Sequence, residues 1–258
     1  MTTGPLLSIV IPAYNEALRL PETLAQLQAY AAQQPYQIEV LVVDDGSEDT
    51  TAEGVEELAA SWNALHLARQ AHGGKGQAIK RGLLEARGDL LFICDADLSM
   101  PIEELAHFLA AAKEGCQVGI GSREAPGAVR YGEPELRHLM GRVFNWLVRW
   151  LALPGIQDTQ CGFKCFTREV ARDLASCQRL GGWGFDVELL FIARKRGYVI
   201  REVPIAWYYK PSSRIHPLRD SIRMTYDLFT VRRNNQSGFY ERIPQLESAL
   251  TSGSQRAE

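Results

Sequence analysis

One pair of acidic residues in the sequence has a spacing that suits metal binding. Asp95 and Asp97 are separated by the small residue Ala96 and follow the apolar segment 89–94. Two carboxylates held this close after a buried strand can ligate one hard divalent cation, because Mg²⁺ and Mn²⁺ prefer oxygen ligands and share their shell with substrate phosphates. A solvated turn is the alternative. The position directly after a strand favours the metal site.

Two further polar clusters also follow apolar segments of strand length. Tyr14 and Glu16 come after residues 7–12, and Asp45 comes after residues 38–43. A carboxylate at either position can accept hydrogen bonds from a nucleobase or from ribose hydroxyls, and Tyr14 can lie along a base. An ordinary turn remains the alternative for Asp45, since glycine and serine follow it.

The glycine-rich segment 72–76 has features of an anion-binding loop. Its glycines bring backbone N–H groups close to a ligand, the helix N-terminus that follows favours negative charge, and Lys75 adds a positive charge. The spacing is not that of a P-loop. A flexible glycine turn is the alternative.

Alternating strand and helix patterns position these clusters in the first half of the chain. Apolar runs with intervening helix patterns predict an α/β fold with a mostly parallel central sheet flanked by helices. Ligands of such sheets bind at the carboxyl ends of the strands, so we expect the polar clusters to meet at one edge. The predicted strands are 7–12, 38–43, 65–68, 89–94 and one starting at 118, and the predicted helices are 21–33, 50–61, 76–86 and one opening at Pro101.

The second half is less regular but also reads as helices and strands. We predict a single domain over residues 1–244 and a disordered tail over 245–258. The predicted helices are 136–151, 185–196 and 217–233, and the predicted strands are 162–166 and 199–208.

Bulk composition excludes some functions. The net charge of −3 argues against a general nucleic-acid binder, which carries a basic excess. The five cysteines form no CxxC pair, and reduced cysteines predict a cytoplasmic location. The first residues lack a signal-peptide pattern, and no apolar run reaches the ~18 residues that a membrane span needs.

Several motifs together resemble a known family. The segments PAYNE (12–16), VDDGS (43–47), GKG (74–76), DAD (95–97) and GSR (121–123) occur in the order typical of family 2 inverting glycosyltransferases, which have the GT-A fold. Within that family the chain resembles the polyprenyl-phosphate glycosyltransferases. The segments DTQCGFK (158–164) and FDVEL (185–189) are most similar to the dolichyl-phosphate β-glucosyltransferase type.

The resemblance implies a function for each matching position. Residues 1–123 would form the nucleotide-sugar half and 124–244 the acceptor half, with Mg²⁺ or Mn²⁺ on Asp95 and Asp97 and the acceptor phosphate on Arg123 and Arg137. Ser99 replaces a glutamine that often ligates the metal in mannose-type members, which favours glucose. The implied nucleotide-sugar contacts are Pro12, Tyr14, Glu16, Val43, Asp45, Lys75, Asp95, Ala96, Lys210 and Arg214.

The acceptor decides which residues are catalytic. Asp97, through the metal, and Arg123 would stabilise charge during transfer from a sugar nucleotide, with UDP-glucose favoured and GDP-mannose still open. A phosphate acceptor is already anionic near pH 7 and needs no base. A glycan or small-molecule hydroxyl would need one, and Asp186 is the candidate, unless it is only an acid at a helix start. Arginine suits phosphate, which favours the polyprenyl-phosphate acceptor.

The helix predicted at residues 136–151 also bears on location. It is too short to span a bilayer, but its tryptophans and arginines suit the headgroup region, which predicts a peripheral membrane protein. The same helix could instead pack on the sheet or form a homodimer interface. A non-catalytic module that only binds nucleotide sugars is a further alternative.

Overall fold

The computed structural model describes residues 7–210 and 217–241. Two of the expectations above therefore lie outside the described residues. These are the contact predicted for Arg214 and the tail predicted over residues 245–258.

A seven-stranded sheet forms the centre of the protein. Its strand order is β3-β2-β1-β4-β7-β5-β8, and a separate two-stranded parallel sheet pairs β6 with β9. In the large sheet β7 runs antiparallel to both neighbours and the other pairs are parallel. The predicted mostly parallel sheet is confirmed. The strands are β1 (Leu7–Ala13), β2 (Ile38–Asp44), β3 (Leu65–Arg69), β4 (Leu90–Ile93), β5 (Val118–Ser122), β6 (Val129–Tyr131), β7 (Lys164–Thr167), β8 (Ile200–Pro204) and β9 (Ala206–Tyr208).

Helices cover both faces of this sheet. Side chains alternate along β1, so that Val10 packs in one apolar core and Ile9 and Ile11 pack in the other. The helices are α1 (Leu20–Ala32), α2 (Thr51–Ala59), α3 (Lys75–Glu85), α4 (Leu105–Lys113), α5 (Glu135–Leu151), α6 (Arg168–Cys177), α7 (Phe185–Lys195) and α8 (Pro217–Gln236). The core around Val10 takes residues from α3, α5, α6, α7 and α8, and the other takes residues from α1, α2 and α4.

Some predicted elements are wrong in detail. The single strand predicted over 199–208 is divided at Ile205, and its halves, β8 and β9, belong to different sheets. The strand predicted over 162–166 begins only at Lys164, which pairs with Ile93 of β4. The helix predicted from Pro101 opens as a 3₁₀ turn, Ile102–Glu104. Two further elements were not predicted from the sequence: β6, which has only three residues, and α6.

Candidate active site

A cleft of about 300 Å³ lies at the carboxyl ends of the parallel strands. Segments that follow β1, β4 and β5 reach it, as do the starts of α3 and α7 and one side of α5. The structure thus brings together residues that are far apart in the chain. Of the predicted site residues, those that line the cleft are Pro12, Glu16, Lys75, Asp95, Ala96, Asp97, Arg123, Arg137, Asp186 and Lys210.

Asp95 and Asp97 lie side by side after β4, with about a quarter of each side chain exposed. The Lys75 ammonium is 2.5 Å from Asp95 Oδ1, and the main-chain N–H of Ser99 donates to Asp97 Oδ1 at 3.2 Å. Burial raises the pKa of Asp97, and the neighbouring Asp95 charge raises it further. Burial also raises the pKa of Asp95, but the nearby positive charges, chiefly that of Lys75, together outweigh burial and the net shift is downward. The pair therefore concentrates negative charge in a partly buried place.

The donor atoms at this pair fit a hard divalent cation. No group of three potential ligands from His, Cys, Asp and Glu occurs within residues 7–210 and 217–241, so a bound ion would complete its shell with substrate oxygens and water. The Ser99 hydroxyl accepts a hydrogen bond from Trp207 Nε1 at 3.1 Å. Gly162 leaves the space that Asp95 occupies, because a Cβ there would lie 1.9 Å from Asp95 Oδ2.

Arg19 is a site residue that the sequence analysis missed. Its guanidinium makes two hydrogen bonds to the Glu16 carboxylate, at 2.7 and 2.5 Å, and its Nη1 lies 4.0 Å from Asp97 Oδ2. The hydrogen bond to Glu16 raises the pKa of Arg19. The three-residue spacing of Glu16 and Arg19 at the start of α1 is the signal that could have found it. Arg19 places a permanent positive charge beside the two aspartates.

Asp45 holds the glycine-rich loop instead of facing the cleft. Its buried carboxylate accepts the main-chain N–H groups of Gly73 at 3.0 Å and Gly74 at 2.8 Å. Gly74 has a φ of +95°, and a Cβ there would lie 2.6 Å from the Gly181 carbonyl oxygen, so only glycine fits. The anion that this loop binds in the structure is thus a side chain of the protein. The contact with a base predicted for Asp45 stays a prediction.

Two other predicted base contacts also lie outside the cleft lining. The side chain of Val43 is fully buried in the sheet core, so it does not reach the cleft. Tyr14 stacks on His72, with ring centroids 4.3 Å apart, and this pair forms a rim beside the loop. Both base contacts stay predictions.

Arg123 is held by an acidic partner whose function the sequence analysis did not assign. Asp158 accepts hydrogen bonds from Arg123 Nε at 2.7 Å and Nη2 at 2.9 Å, and its own side chain is fully buried. Burial raises the pKa of Asp158, but the Arg123 guanidinium outweighs it and lowers the pKa to about 2. The Arg123 guanidinium also lies 5.3 Å from the centre of the Trp207 ring. Two of its three nitrogens thus serve the ion pair, which limits the contact that Arg123 can offer a phosphate.

Further cationic groups line the cleft. The Arg137 guanidinium is 5.0 Å from the centre of the Tyr209 ring, and Lys210 follows directly in the chain. Arg130 also lines the cleft, but it is paired with Glu124 and Glu133. Asp186 lies nearer the metal-binding candidates and is paired with the buried Lys164 at 2.5 Å.

Comparison with known proteins gives the family. The family model described as "Glycosyl transferase family 2" matches residues 8–174, which is more than half of the chain. The chain belongs to glycosyl transferase family 2. Its family 2 relatives include dolichyl-phosphate beta-glucosyltransferases from Trichomonas vaginalis, Dictyostelium discoideum and Homo sapiens, which are 36%, 34% and 33% identical to it. The three alignments cover 90%, 88% and 90% of this chain, and 72%, 73% and 76% of the respective relatives. The resemblance inferred from the motifs is confirmed.

Solved structures show the same fold. The mannosyl-3-phosphoglycerate synthase of Rubrobacter xylanophilus superimposes with a TM-score of 0.67 at 24% identity, covering 93% of this chain and 78% of that protein. The glucosyl-3-phosphoglycerate synthase of Mycobacterium tuberculosis, crystallised with Mn²⁺, UDP-glucose and phosphoglyceric acid, gives 0.67 at 20% identity, covering 89% and 80%. These likenesses show that this family 2 enzyme has the GT-A glycosyltransferase fold.

Proposed function

We propose that this glycosyltransferase moves glucose from UDP-glucose to a polyprenyl or dolichyl phosphate, with inversion at the anomeric carbon. The observation that carries the proposal is the charge arrangement of the cleft. The cleft is lined by two carboxylates suited to a cation-bound diphosphate and also by cationic side chains suited to a second phosphate. The relatives named above support glucose as the sugar and dolichyl phosphate as the acceptor.

The donor end would bind the sugar nucleotide through its diphosphate. Asp95 and Asp97 would hold Mg²⁺ or Mn²⁺, which neutralises charge on the departing nucleoside diphosphate. Lys75 and Arg19 add positive charge beside the carboxylates, and Glu16 orients Arg19. The chain thus supplies electrostatic stabilisation of the leaving group without an acid.

The acceptor end would bind a phosphate monoester. Arg137 and Arg123 line the cleft and would supply positive charge there, while Lys210 and Arg214 would cover the donor diphosphate. The acceptor oxygen is already anionic near pH 7, so no side chain has to remove a proton. A hydroxyl acceptor with Asp186 as base is the second candidate, favoured only by the position of Asp186 in the cleft.

A lipid-labelling assay tests the proposal. Radiolabelled UDP-glucose and GDP-mannose are each incubated with the enzyme, Mn²⁺ and dolichyl phosphate in detergent, and the extracted lipid is counted. We expect label in the lipid from UDP-glucose and none without divalent cation. Label on soluble hydroxyl acceptors with none in lipid would support the second candidate. Nucleotide-sugar binding without any transfer would support a binding module.

An exposed apolar surface beside the cleft supports a peripheral position on the membrane. No helix in the described parts of the chain is long and apolar enough to cross a bilayer. Helices α5 and α8 pack together, and α5 presents Met140 and Phe144 to the cleft. Seven large hydrophobic side chains on these two helices are more than half exposed. We call them the α5–α8 face: Leu139, Val143, Trp146, Trp150, Ile222, Tyr226 and Phe229.

The α5–α8 face can be tested with lipid vesicles. We expect the protein to sediment with vesicles that contain phosphatidylserine and the double variant Trp146→Glu/Trp150→Glu to bind about tenfold less, because tryptophan suits the headgroup region. Leu84→Glu is the control, since Leu84 is exposed on α3 outside this face. If the double variant instead converts a dimer to a monomer with vesicle binding unchanged, the face is a homodimer interface.

A further inference from the structure

A buried ion pair lies beneath the cleft, beside its donor end. Lys164, the first residue of β7, has a fully buried side chain, and Asp186 lies in the first turn of α7 at the cleft wall. Lys164 Nζ is 2.5 Å from Asp186 Oδ1 and 2.5 Å from the main-chain oxygen of Cys161. Within residues 7–210 and 217–241, the hydrogen bond seen to the Asp186 side chain is donated by Lys164, and it reaches Oδ1 and not Oδ2. The second carboxylate oxygen can therefore accept from a ligand in the cleft.

Asp186 lies next to the residues assigned to the donor diphosphate. Lys75, which pairs with Asp95, is 5.2 Å from the centre of the Trp183 ring. Asp186 interacts electrostatically with both Lys75 and Asp95. The hexose of a sugar nucleotide is bonded directly to the diphosphate, so it has to occupy the neighbouring part of the cleft. Trp183 and Asp186 line that part.

The chemistry of this place suits a sugar. A carboxylate accepts hydrogen bonds from hydroxyl groups, and an aromatic ring packs against the apolar face of a hexose. A buried ion pair adds little to stability compared with apolar side chains of similar volume, so stability alone does not explain a charged pair here. The pair does hold the carboxylate in one orientation, because Lys164 is packed on all sides.

We propose that Lys164 is a positioning residue that holds the Asp186 carboxylate toward the cleft, where it accepts hydrogen bonds from hydroxyl groups of the donor hexose. The inference rests on the proposed function, since it requires a hexose on the bound diphosphate. It gives Asp186 a different task from that of a base. Asp186 recognises the sugar of the donor and takes no proton from the acceptor.

Calorimetric titration with UDP and with UDP-glucose, at fixed Mn²⁺, separates the hexose contact from the nucleotide contact. We define the hexose increment as the Kd for UDP divided by the Kd for UDP-glucose. Asp186→Asn is expected to lower the hexose increment about tenfold or more, as for hydrogen bonds to a charged group, and to change the Kd for UDP by less than about twofold. Equal losses of affinity for UDP and UDP-glucose would overturn the inference. So would a fall in kcat with the hexose increment unchanged, as expected for a base.

The Lys164 variants test whether this residue acts through Asp186. Lys164→Met is expected to lower the hexose increment as Asp186→Asn does. In the double variant Lys164→Met/Asp186→Asn both charges are removed, which avoids an unpaired buried carboxylate, and no further loss is expected. A second tenfold loss in the double variant would show that Lys164 acts independently of Asp186 and would overturn the positioning role.

A matched ion pair elsewhere in the fold provides the control. Asp173 is as buried as Asp186 and pairs with Arg196 at 3.1 Å, but it does not line the cleft. Asp173→Asn is expected to lower the midpoint of denaturation and leave the hexose increment unchanged. If the wild type fails to label dolichyl phosphate, the proposed function fails. If it labels the lipid while Asp186→Asn keeps the full hexose increment, only this inference fails.

Discussion

Substitution of Gly162 by alanine tests the placement of Asp95 with a single methyl group. Gly162 does not have a positive φ, so alanine adds a steric contact without backbone strain. The new Cβ would lie 1.9 Å from Asp95 Oδ2 and 2.5 Å from its Cγ. Ordinary contacts begin near 3.4 Å, so the carboxylate has to move by more than about 1 Å. That movement breaks the 2.5 Å contact with Lys75 and shifts a metal ligand.

The size of the effect follows from this displacement. A reacting group misplaced by about 1 Å costs roughly 100-fold in rate, or about 2.7 kcal/mol of transition-state stabilisation. We therefore expect Gly162→Ala to lower kcat for lipid glucosylation about 100-fold and to raise the Mn²⁺ concentration needed for half-maximal activity. Steady-state rates measured across a Mn²⁺ titration report both quantities.

A second glycine gives the matched control. Gly54 lies in α2 outside the cleft, and a Cβ there would meet nothing within 4 Å. Gly54→Ala is expected to keep wild-type rates and to gain about 0.5–1 kcal/mol in stability, as alanine does within helices. If Gly162→Ala were folded and showed the kcat and Mn²⁺ dependence of the wild type, the assignment of Asp95 as a metal ligand would be refuted.

Three further substitutions probe other parts of the cleft. Asp97→Asn should lower Mn²⁺-dependent transfer at least about 100-fold, since a bound cation contributes several kcal/mol; unchanged rates would contradict the metal site. Arg137→Gln should raise KM for dolichyl phosphate about tenfold without altering the Kd for UDP-glucose, and a shift in donor affinity alone would contradict the acceptor assignment. Asp158→Asn should cost about 3 kcal/mol in urea unfolding, because it leaves Arg123 with a partly buried, unpaired charge. The lowered pKa of Asp158 means that the wild type keeps this stability above about pH 4 and loses it as the pH falls toward 2.

The sequence alone was sufficient for the fold class, the family and the acidic pair. Strands apolar on both faces can be recognised locally, because a buried parallel strand needs apolar side chains in both directions. Asp95 and Asp97 were found in the same way, since their spacing and the strand before them are both local features. Once the strands were assigned as parallel, the gathering of their carboxyl ends followed from sheet geometry.

The tertiary structure decided which polar groups are engaged with each other. Asp45 and Glu16 are equivalent in the sequence, since each follows a strand. In the structure Asp45 accepts hydrogen bonds from the main chain of the glycine-rich loop, whereas Glu16 orients Arg19. Arg123 matched the family motif, but its partner Asp158 lies 35 residues away in the chain. Such pairs depend on contacts between distant segments, which no local spacing encodes.

The same limit applies to Lys164. Its position at the end of the segment 158–164 does not indicate that it lies under Asp186. The antiparallel insertion of β7 between β4 and β5 brings it there. The local hydrophobic pattern determines that a segment becomes a strand. Its place in the sheet depends on how all the strands pair with one another. The site is therefore predictable from sequence where its chemistry is local. It is decided by the fold where one side chain restrains another.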